Sequence, residues 1–214
     1  MMDATDSLID SLAGRLQPVD RLRKPWLRAA LWIGFATLVI AILVALRGLR
    51  ADFAECLHDP GYLVPLAGAW LTGATAALAA FEVSLPDRAK AWLLLPLPAV
   101  MIWVVGFAAG CLYDWIEIPA GAPVAADSVR CLTTIILATV ALIAVLLPML
   151  RRAKTLRPNL TAWMGILAVA GFADTAHLLI HMVQASLLVL VINLVPALAI
   201  VLLGGLAGRR AVAA

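Results

Sequence analysis

Residues 26–46 read WLRAALWIGFATLVIAILVAL and carry a single charge, at Arg28. About 20 apolar residues in a helix cross the roughly 30 Å hydrocarbon core of a bilayer. The chain is 64% hydrophobic and 14% charged, far from the roughly 45–50% and 25% of a soluble domain. The sequence therefore predicts an all-α polytopic membrane protein, a bundle of six transmembrane helices. The predicted spans are 26–46, 61–83, 92–112, 131–150, 160–180 and 187–207.

The predicted organisation is an N-terminal segment, 1–25, followed by a six-span membrane domain, 26–210. A secretory signal does not fit the first 25 residues, because Asp3, Asp6, Asp10 and Asp20 leave no apolar core there. We therefore expect the first apolar stretch to remain as a span. The basic isoelectric point follows from the charges that flank the spans, so no direct nucleic-acid partner is expected.

Lys and Arg are distributed unequally between the two predicted sides of the membrane. Thirteen flank the spans on the side of the N-terminus, and the other side has only Arg47, Arg50 and Arg130. Because cytoplasmic loops carry the excess of positive charge, both termini are predicted to be cytoplasmic. Loops 47–60, 113–130 and 181–186 would then lie outside, where disulfides persist.

All cysteines and histidines fall at or beyond the predicted outer ends of spans, an arrangement that a single sequence could also show by coincidence. Cys111 ends the third predicted span and Cys131 begins the fourth. Two neighbouring thiols could form a disulfide or bind a soft metal. The alternative is that both are small buried apolar residues, as free cysteines often are. No cofactor is expected.

Asp174, His177 and His181 are spaced i, i+3 and i+7 on the fifth predicted span. Ionisable residues within spans are candidates for function, and this trio could bind a metal or relay protons. We favour the alternative that acid and imidazole satisfy each other within the bundle, because no fourth ligand is apparent from the spacing.

Two further patterns concern the spans themselves. Glu82 and four tryptophans are expected at the membrane–water interfaces, where aromatic belts form. Prolines within predicted spans should kink them, and Gly106-xxx-Gly110 and Gly204-xxx-Gly208 are spacings that allow close helix packing. The tryptophans are Trp26, Trp32, Trp92 and Trp115, and the prolines are Pro65, Pro96, Pro98, Pro148 and Pro196.

The N-terminal segment has the pattern of a short amphipathic helix. Ser7 and Asp10 have the spacing of a capping box, and a break follows at Pro18. The helix could lie on the anionic inner leaflet or dock into a groove on a partner protein. Acidic residues at 3, 6 and 10 disfavour a purely lipid role. The apolar face consists of Leu8, Ile9, Leu12 and Leu16.

Several stretches, in this order and spacing, resemble the NrsF family of bacterial membrane anti-sigma factors. The resemblance runs from near residue 6 to near residue 210, with the same six-span layout. It is carried by Asp6-Ser-Leu-Ile-Asp-Ser-Leu12, Pro18-Val-Asp-Arg-Leu-Arg-Lys-Pro25, Ala80-Phe81, Leu85-Pro86-Asp-Arg88, Gly110-Cys-Leu-Tyr-Asp-Trp115, Cys131-Leu132, Met149-Leu-Arg-Arg-Ala-Lys-Thr-Leu-Arg-Pro158 and Gly208-Arg-Arg210.

The resemblance implies a regulator that holds an extracytoplasmic-function sigma factor inactive at the bacterial inner membrane. Release would follow a periplasmic redox or heavy-metal signal. The N-terminal helix and its sequel, Pro18, Val19, Arg21 and Leu22, would contact the sigma factor. The outward cysteines would be the sensor.

The chain departs from the family pattern in one place. The pattern has a second sensor cysteine in the outer loop before the last span, where this chain has Met182. The usual partner of Cys131 is therefore missing. Either Cys111 replaces it, or thiol sensing has been lost.

Two other classes of protein are alternatives to a regulator without a catalytic step. A membrane thiol oxidoreductase would need a close reactive pair such as Cys-x-x-Cys, which the sequence lacks. A small-solute transporter would show inverted repeats or several polar residues at mid-membrane, and neither stands out. The sequence favours the regulator.

Overall fold

The computed structural model describes residues 2–14, 22–117, 125–153 and 155–181, and within these ranges the secondary structure is entirely helical. The helices are α1 Met2–Ala13, α2 Pro25–Arg47, α3 Phe53–Cys56, α4 Pro60–Val83, α5 Leu97–Glu117, α6 Ala125–Arg151 and α7 Pro158–Ile180, with a short 3₁₀ helix at Lys90–Leu94.

Five stretches of the described residues are helical, long and apolar enough to cross a membrane, which confirms an all-helical protein of the membrane type. These stretches are Pro25–Arg47, Pro60–Val83, Lys90–Ala109, Leu132–Arg151 and Pro158–Ile180. They correspond to the first five predicted spans. The sixth predicted span, 187–207, lies outside the described residues, as does the Gly204-xxx-Gly208 pattern.

Helix α4 lies at the centre of the bundle and makes its most extensive contact with α7. A Cβ atom placed on Gly171 would lie 2.5 Å from the Ala69 carbonyl oxygen and 2.6 Å from the Gly73 nitrogen. A Cβ atom on Gly73 would lie 2.7 Å from the Phe172 ring. The two backbones therefore touch, and only glycine fits at either position.

Helix α5 approaches α4 in the same way on another of its faces. A Cβ atom on Gly68 would lie 2.7 Å from the backbone of Trp103, and one on Gly106 would lie 3.0 Å from Pro65. Gly106 is the first member of the predicted Gly106-xxx-Gly110 pattern. One glycine of the pattern therefore allows close helix packing, and the residue it faces is Pro65 of α4.

The four predicted prolines among the described residues divide into two groups, and Pro196 lies outside those residues. Pro65 and Pro148 lie inside α4 and α6 as predicted. Pro96 and Pro98 do more than kink the third span, because its 3₁₀ turn ends at Leu94 and α5 starts at Leu97. Proline fits the first turn of a helix, where its missing N–H has no partner to lose. The third span is therefore two helical pieces.

Trp32 is a correction to the predicted interfacial belt. Its side chain is fully buried and packs edge to face against Phe172, with ring centroids 5.5 Å apart. Its indole N–H donates to the Leu142 carbonyl oxygen at 3.4 Å. A neighbouring helix therefore supplies the polar partner of the indole. Glu82, one residue before the end of α4, is also covered by protein, at 4% exposure.

The N-terminal helix begins at Met2, five residues before Ser7, so the predicted capping box is wrong. Ser7 lies within the helix, and a serine hydroxyl there no longer caps it. The side chains of residues 5–14 are exposed, including Leu8, Ile9 and Leu12 at 57%, 56% and 57%. The three apolar side chains are thus available to a partner.

The contact between α4 and α7 predicts a strong effect of a single methyl group. Gly171→Ala should lower the free energy of unfolding by about 1–3 kcal/mol, because the backbones must separate to admit the Cβ atom. Thermal unfolding of the purified protein in detergent measures this. Gly34→Ala on α2 is the matched control, since a Cβ atom there meets nothing within 4 Å. Equal effects of the two substitutions would contradict the close contact.

Candidate functional site

Polar side chains collect at the two ends of the bundle. We call the end where α2 begins and α4 and α6 finish the entry end, and the opposite end the far end. The entry end contains Arg28, Phe81, Glu82, Arg88, Met149 and Arg157, and the far end contains Arg47, Arg50, Asp52, Cys56, Tyr62, Thr133, Thr134 and His181. Residues that the sequence predicts for the same side of the membrane therefore lie at the same end of the bundle.

At the entry end, Arg28 joins three helices. Its guanidinium donates a hydrogen bond to the carbonyl oxygen of Met149 on α6. It also lies over the ring of Phe81 on α4, 4.9 Å from the centroid, in a cation–π contact. The residue is only 6% exposed. Sequence reasoning treated Arg28 only as a topology charge, because nothing in the pattern indicates which carbonyl it would reach.

A second contact at the entry end ties the loop after α4 to the bundle. Arg88 pairs with the buried Glu82 through Nε and Oε2, 3.2 Å apart. Arg157, just before α7, donates to the Arg88 carbonyl oxygen at 3.0 Å. Because the chain reverses direction between Val83 and Arg88, this loop can fold its own cation back over the acid. That local return explains how Glu82 can be buried by protein and still have a cationic partner.

At the far end, Arg50 is the central residue. Its guanidinium makes two hydrogen bonds to Asp52, both 2.7 Å long, and lies 4.7 Å from the centroid of the Tyr62 ring. Its backbone N–H donates to the Leu179 carbonyl at 3.1 Å. The hydrogen bonds from Arg50 lower the pKa of Asp52 to about 2, and the same bonds raise the pKa of Arg50. The pair fixes the first outer loop against the end of α7.

Cys56 belongs to this same cluster. Its side chain is buried, at 8% exposure, and its Sγ lies 3.4 Å from Asp52 Oδ2, to which it donates. Burial raises the pKa of the thiol, and the hydrogen bond to Asp52 raises it further. A thiol with a raised pKa has little thiolate at neutral pH and is a poor nucleophile. Cys56 therefore has the surroundings of a structural cysteine.

The contacts of Asp174, His177 and His181 on the fifth span differ from the predicted ones. Asp174 accepts a hydrogen bond from the indole N–H of Trp103 on α5, at 2.8 Å, rather than from an imidazole. The His177 and His181 rings stack with centroids 5.3 Å apart, and His181 Nε2 lies 3.1 Å from Thr134 Oγ1. The expected pairing of acid and imidazole is thus wrong for Asp174.

His181 lies at the end of α7 and stays next to His177. It follows the last residue of the helix with extended angles, φ −106° and ψ 139°, and its backbone N–H donates to the His177 carbonyl oxygen at 2.9 Å. Within the described residues, no group of three His, Cys, Asp or Glu side chains is placed to hold a metal ion. The trio therefore links helices, and Trp103, which the sequence did not indicate as a partner of Asp174, supplies the donor.

The remaining predicted site residues are placed only in part. Cys111 lies in α5 and Cys131 in α6, but their side chains are outside what the structure describes, as are Leu16, Pro18, Val19, Arg21 and Met182 entirely. Leu22 is 44% exposed. Among the described residues, α5 packs mainly on α4, whereas α6 packs on α7 and α2.

The far-end cluster predicts a pH dependence. The pKa of Asp52 is about 2 in the folded protein against an ordinary 3.8, so its pairing stabilises the fold above about pH 4. This contribution should disappear as the pH falls towards 2. Asp52→Asn should lower the melting temperature at pH 7 and reduce its fall on acidification. Glu55→Gln, an exposed acid of the same loop, is the control, and a variant pair with identical pH profiles would refute the assignment.

Comparison with known proteins gives one match. Residues 12–213 match the profile of the family described as NrsF, negative regulator of sigma F. No curated protein matches the chain. No solved structure matches it either. The family match begins inside α1 and continues through all the spans described above.

Proposed function

The chain belongs to the NrsF family of negative regulators of sigma F, and from that premise we propose that it is a membrane-embedded anti-sigma factor for an extracytoplasmic-function sigma factor. It sequesters the sigma factor at the bacterial inner membrane and releases it on a periplasmic redox or heavy-metal signal. Family membership favours this regulator over a thiol oxidoreductase or a transporter. The lipid bilayer is its second partner.

The proposed orientation has both termini in the cytoplasm. The supporting observation is the difference in positive charge between the entry end and the far end of the bundle. Six arginines of the described residues lie at or near the entry end, whereas three lie at the far end. The entry-end arginines are Arg23, Arg28, Arg88, Arg151, Arg152 and Arg157, and the far-end arginines are Arg47, Arg50 and Arg130. An excess of Arg on one side is the usual mark of the cytoplasmic face, and it lies on the side where α2 connects to the N-terminal segment.

The proposed sigma-factor contact is the N-terminal segment. The observation that carries this proposal is the exposure of Leu8, Ile9 and Leu12 on α1, each more than half accessible. Burying a leucine or isoleucine fully is worth about 1.5–3 kcal/mol, so a groove that accepts three such side chains gains a stable anchor. Leu16, Pro18, Val19, Arg21 and Leu22 extend this surface towards the membrane.

Paired alanine substitutions on the two faces of α1 test the contact. Leu8→Ala with Leu12→Ala should reduce the sigma factor that co-purifies with the membrane protein by about tenfold or more, because apolar anchors dominate such interfaces. Asp6→Ala with Asp10→Ala changes the opposite face with the same number of alanines and should have little effect. Deletion of residues 1–17 should abolish co-purification while membrane insertion persists.

The outcome that would remove this proposal is an undiminished sigma-factor yield from the deletion variant. If the aspartate variant alone lost the sigma factor, the contact would be electrostatic and the apolar anchor would be wrong. Membrane content of each variant, measured by immunoblot, normalises the yields.

The proposed sensor consists of Cys111 and Cys131. In the proposed orientation both lie near the outer ends of their helices, α5 and α6. Within the described residues α5 packs mainly on α4, whereas α6 packs on α7 and α2, so a link between Cys111 and Cys131 would tie together helices that pack on different neighbours. A bond or a shared thiophilic metal would therefore change the packing of the spans, which is what a signal across the membrane requires.

Thiol labelling tests the sensor. Treatment of cells with oxidant or metal should protect Cys111 and Cys131 from a membrane-impermeant maleimide, and Cys111→Ser or Cys131→Ser should prevent release of the sigma factor. Cys56→Ser is the matched control and should leave release intact, because the Cys56 thiol is buried and its pKa is raised. Equal labelling before and after treatment would exclude both cysteines as sensors.

A further inference from the structure

Three polar contacts join α2 to α6 along the whole length of the pair, and we call them the α2–α6 ladder. In each, a side chain of α2 donates to an oxygen atom of α6. The order along the two helices is antiparallel, from the entry end to the far end. The contacts are Arg28 to the Met149 carbonyl, Trp32 to the Leu142 carbonyl at 3.4 Å, and Arg47 to Thr133 Oγ1 at 3.5 Å.

The entry-end contact takes a carbonyl that the helix cannot satisfy itself. Met149 is one of the last four residues of α6, which end without intrahelical donors. The N–H of Arg152 donates to the Pro148 carbonyl, and the N–H of Ala153 donates to the Leu150 carbonyl, so neither of them bonds the Met149 carbonyl. The guanidinium of Arg28 therefore caps α6 at Met149, where a cation is also favoured by the helix dipole.

The same end of α6 is weakened by its sequence. Pro148 lies inside the helix and has no N–H, so the carbonyl of Ala144 loses its usual partner. Bends in helices concentrate at such residues. The last turn of α6, which carries the Met149 carbonyl, is thus attached to the rest of the helix by a site that can bend.

Arg28 is also close to the N-terminal segment in the sequence. Helix α2 begins at Pro25, so Arg28 is in its first turn, and residues 22–24 lead directly back towards α1. The contacts of the guanidinium are an uncharged carbonyl and an aromatic face. If the Met149 carbonyl moves away, the buried Arg28 guanidinium loses its hydrogen-bond partner, which costs free energy. The long arginine side chain can then regain hydration by reaching to the membrane surface.

We propose that Arg28 is the positioning residue through which α6 controls the N-terminal segment. This inference rests on the proposed function. While Arg28 holds the Met149 carbonyl, the first turn of α2 is fixed and the segment is presented to the sigma factor. When a signal at the Cys131 end shifts α6, the contact breaks, Arg28 moves to the surface, and the segment is displaced with it.

Three variants of the full-length protein test the coupling. Arg28→Met removes the donor but keeps an unbranched side chain of similar reach, and it should lower sigma-factor co-purification at least about fivefold without any signal, with no further release by oxidant. Arg28→Lys keeps a cationic donor and should retain most binding and release. Arg47→Met is the same substitution on the same helix at the far end, and it should behave as wild type.

A second measurement does not need the sigma factor. Trypsin cleavage after Arg23 in the detergent-solubilised protein reports how the segment is held, since Pro25 protects the bond after Lys24. Cleavage should be faster in Arg28→Met than in wild type, and oxidant should accelerate it in wild type alone. If the role of Arg28 were purely structural, Arg28→Lys and Arg28→Met would both have a lower melting temperature. Both variants would then also lose the oxidant response of trypsin cleavage to the same extent.

The two readouts separate the coupling from the proposed function. Unchanged cleavage and unchanged sigma-factor retention in Arg28→Met would overturn the coupling, whatever the N-terminal segment binds. If cleavage responds to Arg28→Met but deletion of residues 1–17 leaves the sigma factor bound, the coupling stands and the proposed sigma-factor contact fails. Equal defects in Arg28→Met and Arg47→Met would also overturn it, since the entry-end contact would then have no special role.

Discussion

The direct backbone contact between α4 and α7 is the constraint on which the other helix positions depend. In a bilayer the hydrophobic effect does not drive helices together, so close van der Waals packing between small residues must do so. Gly73 and Gly171 allow that approach, and it sets Phe172 against Trp32 of α2 and Trp70 of α4. With α7 fixed, Gly68 places α5 on another face of α4.

The polar side chains solve a common problem at both ends of the bundle. A helix that finishes in or near hydrocarbon has carbonyls without donors, and each costs several kcal/mol if left unpaired. Arg28 bonds Met149 at the entry end, while Tyr62 and the Arg50 backbone bond Leu178 and Leu179 at the far end. These bonds join α6 to α2, and α7 to α4 and to the loop after α2, so relative movement of the helices acts first on the ends.

The sequence could predict the positions of the spans, because the thickness of the hydrocarbon core sets their length and composition. It could not predict which side chains meet. Helices that are apolar on all sides have no polar face to indicate their rotation, so Trp32 was assigned to the interface, and Asp174 to a histidine rather than to Trp103. Capping was also misjudged, because α1 continues through Ser7 to Met2.

The chain connectivity limits how any signal can reach the N-terminal segment. Helix α1 has exposed side chains throughout residues 5–14, and the segment joins the bundle at the first turn of α2. Within the described residues, a change elsewhere in the bundle can therefore act on the segment through that turn, by way of a residue that another helix holds. Arg28 lies in that turn and contacts both α4 and α6. Of these two, α6 is the helix that also contains Cys131, so a single helix connects the proposed sensor to the residue that positions the proposed binding segment.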